Sequence, residues 1–449
     1  MLRRKLISEL LPDEDGPSLK RALSLTQLTA LGVGCIIGAG IFVLTGSTAA
    51  QFAGPGIILS FLLSALGCAC CALCYAEFAA LVPLAGSAYT YAYASLGEIF
   101  AWIIGWDLIL EYSFGAAAVA KGWSANLVIV FQKLGFNPDQ RVVSFCAVLL
   151  MTAILVAGIR QSAGVNGIIV AIKTATVLLF IVVAGAYLLR HPAQAVTNWQ
   201  PFLPFGWGGV VRGAAVICFA YLGFDAVSTA AQEARNPQRD MPRAIIGSLA
   251  ICTVLYVFTA ALLTGLVPYT ELNVSAPIAM GIERTGAAWA SFAVPLGTVL
   301  GLSTVTLVML LGQSRVVYAM SRDGLLPSFL GKIHPSLHTP YLATSILGLF
   351  VATLSAAVPV TDLVLLANIG TLLAFCIVCG GIIVLRRRDP QLTRPFRTPW
   401  VPLVPVVGIL VAVSMMVSLP AATWLRLLLW QILGLLVYFT YGRRASTKS

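Results

Sequence analysis

A chain of 449 residues that is 59% hydrophobic and only 10% charged, where a soluble domain is about a quarter charged, cannot hide that much apolar surface in a water-facing fold. Its mean hydropathy of +0.92 fits a protein that crosses a membrane repeatedly and excludes an ordinary soluble enzyme. The net charge of +11 needs no nucleic acid, because basic loops beside anionic lipid account for it.

Apolar runs of roughly 20 residues between polar or Pro/Gly-rich breaks give twelve predicted helical spans, at 26–51, 55–82, 98–131, 141–159, 164–189, 208–232, 244–267, 287–320, 340–357, 362–385, 401–420 and 423–441. The start, MLRRKLISELLPDEDGPSLKRALS, is charged and lacks an apolar core followed by a small-residue cleavage site, so residues 1–25 are expected to stay as a cytoplasmic tail. With twelve spans, both termini and the even loops share one side, and 19 of the 28 Lys and Arg fall there, against six on the other side. That bias predicts a multi-pass protein of the cell membrane with both ends, including residues 443–449, in the cytoplasm.

The first span contains GCIIGAGIFVLTG, Gly34 to Gly46, whose glycines are poor helix formers at mid-membrane. Gly34 and Gly38 alone read as a helix-packing pair, but Gly38-Ala39-Gly40 can leave helical geometry, and the sixth span has a similar interruption in CFAYLGFD, Cys218 to Asp225. The two breaks lie five spans apart, an odd offset that predicts opposite orientations and an inverted repeat of spans 1–5 (26–190) and 6–10 (208–387), with the last two spans (401–442) appended. A nucleotide-binding reading of GAGIFV fails, since the third glycine and a βαβ setting are both missing.

Irregular backbone survives at that depth only when buried in protein or lining a cavity. Amide groups around Ala39, Gly40 and Ile41 would present positive helix dipole to a carboxylate, while the carbonyls of Ile36, Ile37, Phe219, Ala220 and Leu222 would accept from an ammonium. A zwitterion is the expected guest.

Each charge at a helix centre costs about 2.5–3.5 kcal/mol on insertion scales and so asks for a partner or a role. Rises of about 1.5 Å per residue are expected to bring Lys173, Asp225, Glu111 and the Gly38 break into one layer. Lys173 is read either as a proton carrier or as one half of a fixed pair with Asp225 or backbone. Asp107 and Glu111, four apart, share a predicted helix face, and Glu111 is expected to attract a cationic side chain, relay a proton or serve structure. Lys121 reads as a snorkelling residue nearer the outer end. The ten cysteines all fall in spans, and CACCALC, Cys68 to Cys74, reads as small thiols in a helix interface rather than a metal site. No metal, cofactor or catalytic group is expected, since the three histidines His191, His334 and His338 lie in predicted loops.

The loop motif EARNPQRDMPRAI (Glu233 to Ile245), with GQSRVVYAMSRDGLLP (Gly312 to Pro327), RRRDPQLTRPFRTPWVPLVPVVG (Arg386 to Gly408), GAGIFVLTG and VPLAGSAYTYAYASLGE (Val82 to Glu98), resembles the amino acid–polyamine–organocation superfamily and its cationic amino acid transporter subfamily, over about residues 20 to 442. The resemblance implies an all-α membrane protein of twelve helices in a LeuT-type fold, and secondary transport of amino acids. It implies a carboxylate held by Gly38-Ala39-Gly40, an ammonium held by Ile36, Phe219, Ala220 and Leu222, and a gate at the Phe219 ring. It also implies a proton-linked Lys173, and a pocket limited by Met309 on the eighth helix. Ala39 departs from the Ser or Thr common in relatives, which leaves recognition there to backbone.

Apolar Met309 and CFAYLGF favour a small neutral amino acid such as alanine, whereas Glu111 favours a cationic one. The expected partners are thus an amino acid, a proton and lipid; a single-span accessory subunit is not readable from the sequence. An exchanger of arginine- or lysine-type substrates is the alternative within transport, and an amino-acid-sensing transceptor the alternative outside it. Glu233, Arg235, Arg239 and Asp240 read as an inner latch or a solvated face.

Overall fold

The computed structural model describes residues 23–81, 87–158, 163–224, 227, 234–337 and 339–442. Asp225, Glu233, His338 and the two tails 1–22 and 443–449 lie outside the described residues. Among the described residues there are helices and a single parallel bridge, Leu23 to Ala234, but no strand.

Helix α1 (Leu25–Ile36) starts where Ser24 and Gln27 form a reciprocal capping box, and stops at Ile37, whose backbone turns extended. Helical geometry resumes over residues 40–53, with wide turns at Gly40–Leu44 and Ala49–Ala53. Then follow α2 (Ile57–Leu81), α3 (Ser87–Ser95), α4 (Glu98–Lys133), α5 (Gln140–Val156, capped by the Asp139 carboxylate), α6 (Ala163–Arg190) and α7 (Pro192–Asn198). Helix α8 (Gly206–Ile217) tightens into a 3-10 turn, Cys218–Tyr221, and breaks at Leu222. The rest comprises α9 (Pro237–Leu266), α10 (Pro277–Arg284), α11 (Ala288–Arg322), α12 (Tyr341–Ala357), α13 (Val360–Arg388), α14 (Leu403–Ser418) and α15 (Ala421–Val437).

Among the described residues, seven helical runs are long and apolar enough to cross a membrane, against the twelve spans expected. The difference has a structural reason. Leu25–Leu81 forms one nearly continuous run of 57 residues, and four further apolar helices are shorter, at 10–17 residues.

The helices pack in a repeated scheme: α2 against α9, α4 against α11, and α5 against α12. Helix α1 packs on α9 and α6, while α8 packs on α2 and α13. Helix α15 is bolted to α4 through indole pairs. Trp106 donates to the Trp430 carbonyl at 2.9 Å, Trp430 donates back to the Trp106 carbonyl at 3.2 Å, and their rings stack at 4.7 Å.

Near the α1-start face, the fully buried Glu77 carboxylate accepts from Arg386 Nε at 3.0 Å and Nη2 at 2.7 Å, and from the Thr398 amide at 2.7 Å. Arg394 adds a contact at 3.3 Å, so α2, α13 and the segment after α13 share one buried charge. On the same face the Tyr89 hydroxyl donates to Asp323 at 2.7 Å; burial, then the Asp323 charge, push that hydroxyl well above its ordinary range and keep it a donor.

The thiols of α2 lie in helix interfaces: Cys68 Sγ is 3.8 Å from Cys218 Sγ, and Cys71 Sγ is 3.8 Å from Cys379 Sγ. All ten cysteines are free, and among the described residues no group of His, Cys, Asp or Glu could hold a metal ion.

Candidate functional site

The two interrupted helices cross at their breaks. A Cβ added to Gly40 would lie 2.1 Å from Ala220 Cα, and one added to Gly223 would lie 2.7 Å from the Cys35 carbonyl carbon. The later residue of the first segment therefore meets the earlier residue of the second, and the reverse, which is an antiparallel crossing. Gly223 is doubly required, since its φ of +112° is open only to glycine at low cost.

Gly38 is different: a Cβ there would meet Val305 at an ordinary 3.4 Å and the Ile36 carbonyl oxygen at 3.7 Å. Close packing thus accounts for Gly40 and Gly34, the latter pressed on Val170 at 2.4 Å, but not for Gly38.

Beyond the break, helical bonding begins with the Phe42 amide donating to the Gly38 carbonyl at 3.4 Å, so the amides of Ala39, Gly40 and Ile41 precede the first bond, as at any helix N-terminus. All three residues are buried. On the other side of the break, the Ile36 carbonyl accepts from Tyr256 of α9 at 2.7 Å, and the Gly34 carbonyl accepts from the Lys173 ammonium of α6. One lone pair of Ile36 is therefore already used. In the second segment, the Phe219 carbonyl accepts from the Leu222 amide at 3.2 Å. Asn368 of α13 donates to the Ala215 and Val216 carbonyls at 2.9 and 2.8 Å, where the 3-10 turn draws them out of regular bonding.

A small cavity with about 40 Å³ of room lies against this crossing on the side of the α1 start. Leu31, Gly34 and Cys35 of α1, Glu111 and Tyr112 of α4, Leu222 and Gly223, and Thr304, Val305, Val308 and Met309 of α11 form its wall. Gly115 leaves the room in which Met309 and Phe219 meet: a Cβ there would be 3.3 Å from the thioether sulfur and 3.6 Å from the ring. On the opposite side of this layer, Val43 presses on Gly122, whose added Cβ would lie 2.3 Å from Val43 Cγ2.

Of the expected site residues, Leu222, Met309 and Glu111 border the cavity directly, together with the Gly34 that Lys173 holds. Ile36, Ile37, Ala39, Gly40, Phe219 and Ala220 are buried in the crossing beside it, while Asp225 lies outside the described residues. The shared face expected of Asp107 and Glu111 divides: Asp107 turns to α15, where Gln431 donates to it, and Glu111 faces the cavity. Tyr256 and Asn368 were missing from the sequence-based set. Each is a lone hydrogen-bonding side chain inside an otherwise apolar run, VLYVF and LLANIG, which was the available signal.

Comparison with known proteins assigns the family. The model of the family described as "Amino acid permease" matches residues 23–438. The branched-chain amino acid permease BcaP of Bacillus subtilis (strain 168) is 45% identical over 464 residues, covering 99% of this chain and 98% of that protein. The methylthioribose transporter of the same organism is 43% identical, with the same coverage of 99% and 98%. Cationic amino acid transporter 4 of Homo sapiens is 38% identical over 400 residues, 85% of this chain and 62% of its own length. These relatives are permeases and transporters by name, and this chain, a multi-pass membrane protein by its own helices, belongs to the amino acid permease family.

Proposed function

We propose that the chain is a secondary carrier of L-amino acids that works by alternating access. The observation that carries this reading is the antiparallel crossing of two interrupted helices beside an apolar cavity. The packing of α2, α4 and α5 on α9, α11 and α12 supports an inverted repeat of 26–190 and 208–387. Counting the Leu25–Leu81 run as two spans and adding the four shorter apolar helices gives twelve, and the basic bias of the even loops supports cytoplasmic termini.

In this reading the backbone around Gly38, Ala39 and Gly40 takes the carboxylate, and the remaining lone pairs of Ile36, Ile37, Phe219, Ala220 and Leu222 take the ammonium. The apolar side chains Leu31, Leu222, Val305, Val308 and Met309 suit a neutral aliphatic side chain, with alanine the reference substrate. The name of the Bacillus relative makes branched-chain amino acids the next to test. Protonated Lys173 holds the Gly34 carbonyl; loss of its proton would release the inner half-helix, which links a proton to the swing of α1. Glu111 and the cationic relatives favour a second reading, exchange of arginine- or lysine-type substrates.

The test is uptake of labelled L-alanine and L-leucine into sodium-free proteoliposomes that contain no amino acid, with and without an inward proton gradient. Accumulation only with the gradient supports symport. Accumulation only after arginine is loaded inside supports exchange, and no uptake of any amino acid in either format overturns the carrier reading.

A further inference from the structure

A second cavity opens on the far side of the crossing from the first, with about 250 Å³ of room. Val43 of the first interrupted helix and Gly122 of α4 form its floor, and Lys121 and Arg141 both border it. Lys121 is six residues beyond Gly115 on α4, about 9 Å outward of the layer where Met309 and Phe219 meet. Among the described residues neither cation has an ion-pair partner. Among the described residues the one carboxylate that borders the cavity, Asp139, accepts the Arg141 amide at 2.7 Å and caps α5. Gln140, Ser144 and Ser275 add amide and hydroxyl groups to the wall.

Snorkelling does not describe this lysine. A snorkelling side chain runs along lipid to reach water, whereas Lys121 is half-buried against a protein-walled, polar cleft. Two like charges held together facing open space repel each other, and they are relieved by an anion between or before them.

We propose that this cleft is an outer anion-binding site for a small monovalent anion, either the carboxylate of the amino acid on its way to the crossing or a resident chloride. The reading rests on the proposed carrier function for its direction, not for its chemistry. A zwitterion drawn in by its carboxylate arrives with that group leading toward the Ala39 and Gly40 amides. A substrate with net positive charge meets the same two cations as a barrier, which favours neutral over cationic amino acids.

The experiment measures initial L-alanine uptake against concentration for the wild type, Lys121→Gln, Arg141→Gln and the charge-retaining Lys121→Arg. Two charges roughly 10 Å from a carboxylate in water-like surroundings change its local concentration about fourfold. KM should therefore rise about twofold in each glutamine variant, which removes one of the two charges, with kcat unchanged, and stay near wild type in Lys121→Arg. If the carboxylate is the ligand, acetate competes with wild-type uptake and loses that effect in the glutamine variants, while replacing chloride by isethionate changes nothing. If chloride is the ligand, the wild type slows in isethionate and the glutamine variants do not respond. Equal KM in all four proteins, with no effect of acetate or chloride, overturns the site.

Arg141→Gln carries the test if the Lys121 variant does not reach the membrane, because Arg141 is exposed. Should the wild type take up no amino acid, thermal stability of the purified protein in acetate and in chloride still reads the site. Stabilisation that disappears in the glutamine variants keeps the anion site while the carrier reading fails.

Discussion

Lys173 of α6 and Asn368 of α13 perform the same task on opposite halves of the molecule. Each donates from a buried polar head into backbone carbonyls just before a helix breaks, Lys173 to Gly34 and Asn368 to Ala215 and Val216. They differ in one respect, since an amide cannot gain or lose a proton near neutral pH and an ammonium can. Lys173→Met is expected to leave a protein that inserts and binds alanine but no longer responds to an imposed proton gradient. Asn368→Ala, which strands two buried acceptors, should cost about 1–3 kcal/mol of stability and leave the gradient response intact. Uptake by Lys173→Met that still follows the gradient would remove the lysine from coupling.

The glycines of the crossing separate packing from function. Gly40→Ala forces a methyl group to within 2.1 Å of Ala220 Cα, and Gly223→Ala combines a 2.7 Å clash with a φ of +112°. Overpacking of this kind costs about 1–3 kcal/mol, so both variants should show lower yield and melting temperature. Gly38→Ala meets Val305 at 3.4 Å and should fold normally. Its loss should appear in binding of labelled amino acid to the purified protein; unchanged binding would take Gly38 out of the site.

Much of this arrangement was legible in sequence because a membrane penalises irregular backbone, so glycines inside apolar runs stand out. The break beside Gly38 and its counterpart near Leu222 could be found from the placing of glycines in apolar runs, although the structure breaks at Ile37–Gly38 and is helical again by Gly40. What composition could not separate was the duty of each glycine, because contact with Ala220 or with Cys35 depends on residues far away in the chain. The same holds for Asp107 and Glu111. A spacing of four put them on one face of α4, yet Gln431 from the last long helix claims the first and leaves the second on the cavity. The spans expected at 26–51 and 55–82 run together as Leu25–Leu81, because the wide turn at Ala49–Ala53 and the short turn Gly54–Gly56 carry helix into helix with little interruption.

Met309 sets the width of the cavity where it meets Phe219 over Gly115. Met309→Ser removes most of a large side chain and should broaden acceptance, measured as competition by leucine, methionine and arginine against labelled alanine. The expected change is several-fold tighter competition by the longer substrates, because one added or removed methylene in an apolar pocket is worth about 1–3 kcal/mol of discrimination. Gly115→Ala should act in the opposite sense, because its new methyl group lies 3.3 Å from the Met309 sulfur and narrows the same space. A Met309→Ser protein whose competition profile matches the wild type would assign the limit to another wall residue.

The Glu77 cluster offers a test of stability separate from the site. Its carboxylate is fully buried and engaged by Arg386, Arg394 and the Thr398 amide, so the two arginines and one amide have this single acceptor in common. Removing the carboxylate strands the positive charge of the buried Arg394 and the partly buried Arg386, and breaking a buried pair this way costs about 3–5 kcal/mol. Glu77→Ala should lower the melting temperature more than Arg386→Ala does, because the Thr398 amide still donates to Glu77 and the Arg394 charge still faces it when Arg386 is gone. Replacing both Glu77 and Arg386 should recover part of the loss, since no charge is then left facing its missing partner at that contact. Thermal unfolding of the purified variants in detergent decides the order, and equal losses for the two single variants would show that Arg394 and Thr398 do not sustain the carboxylate alone.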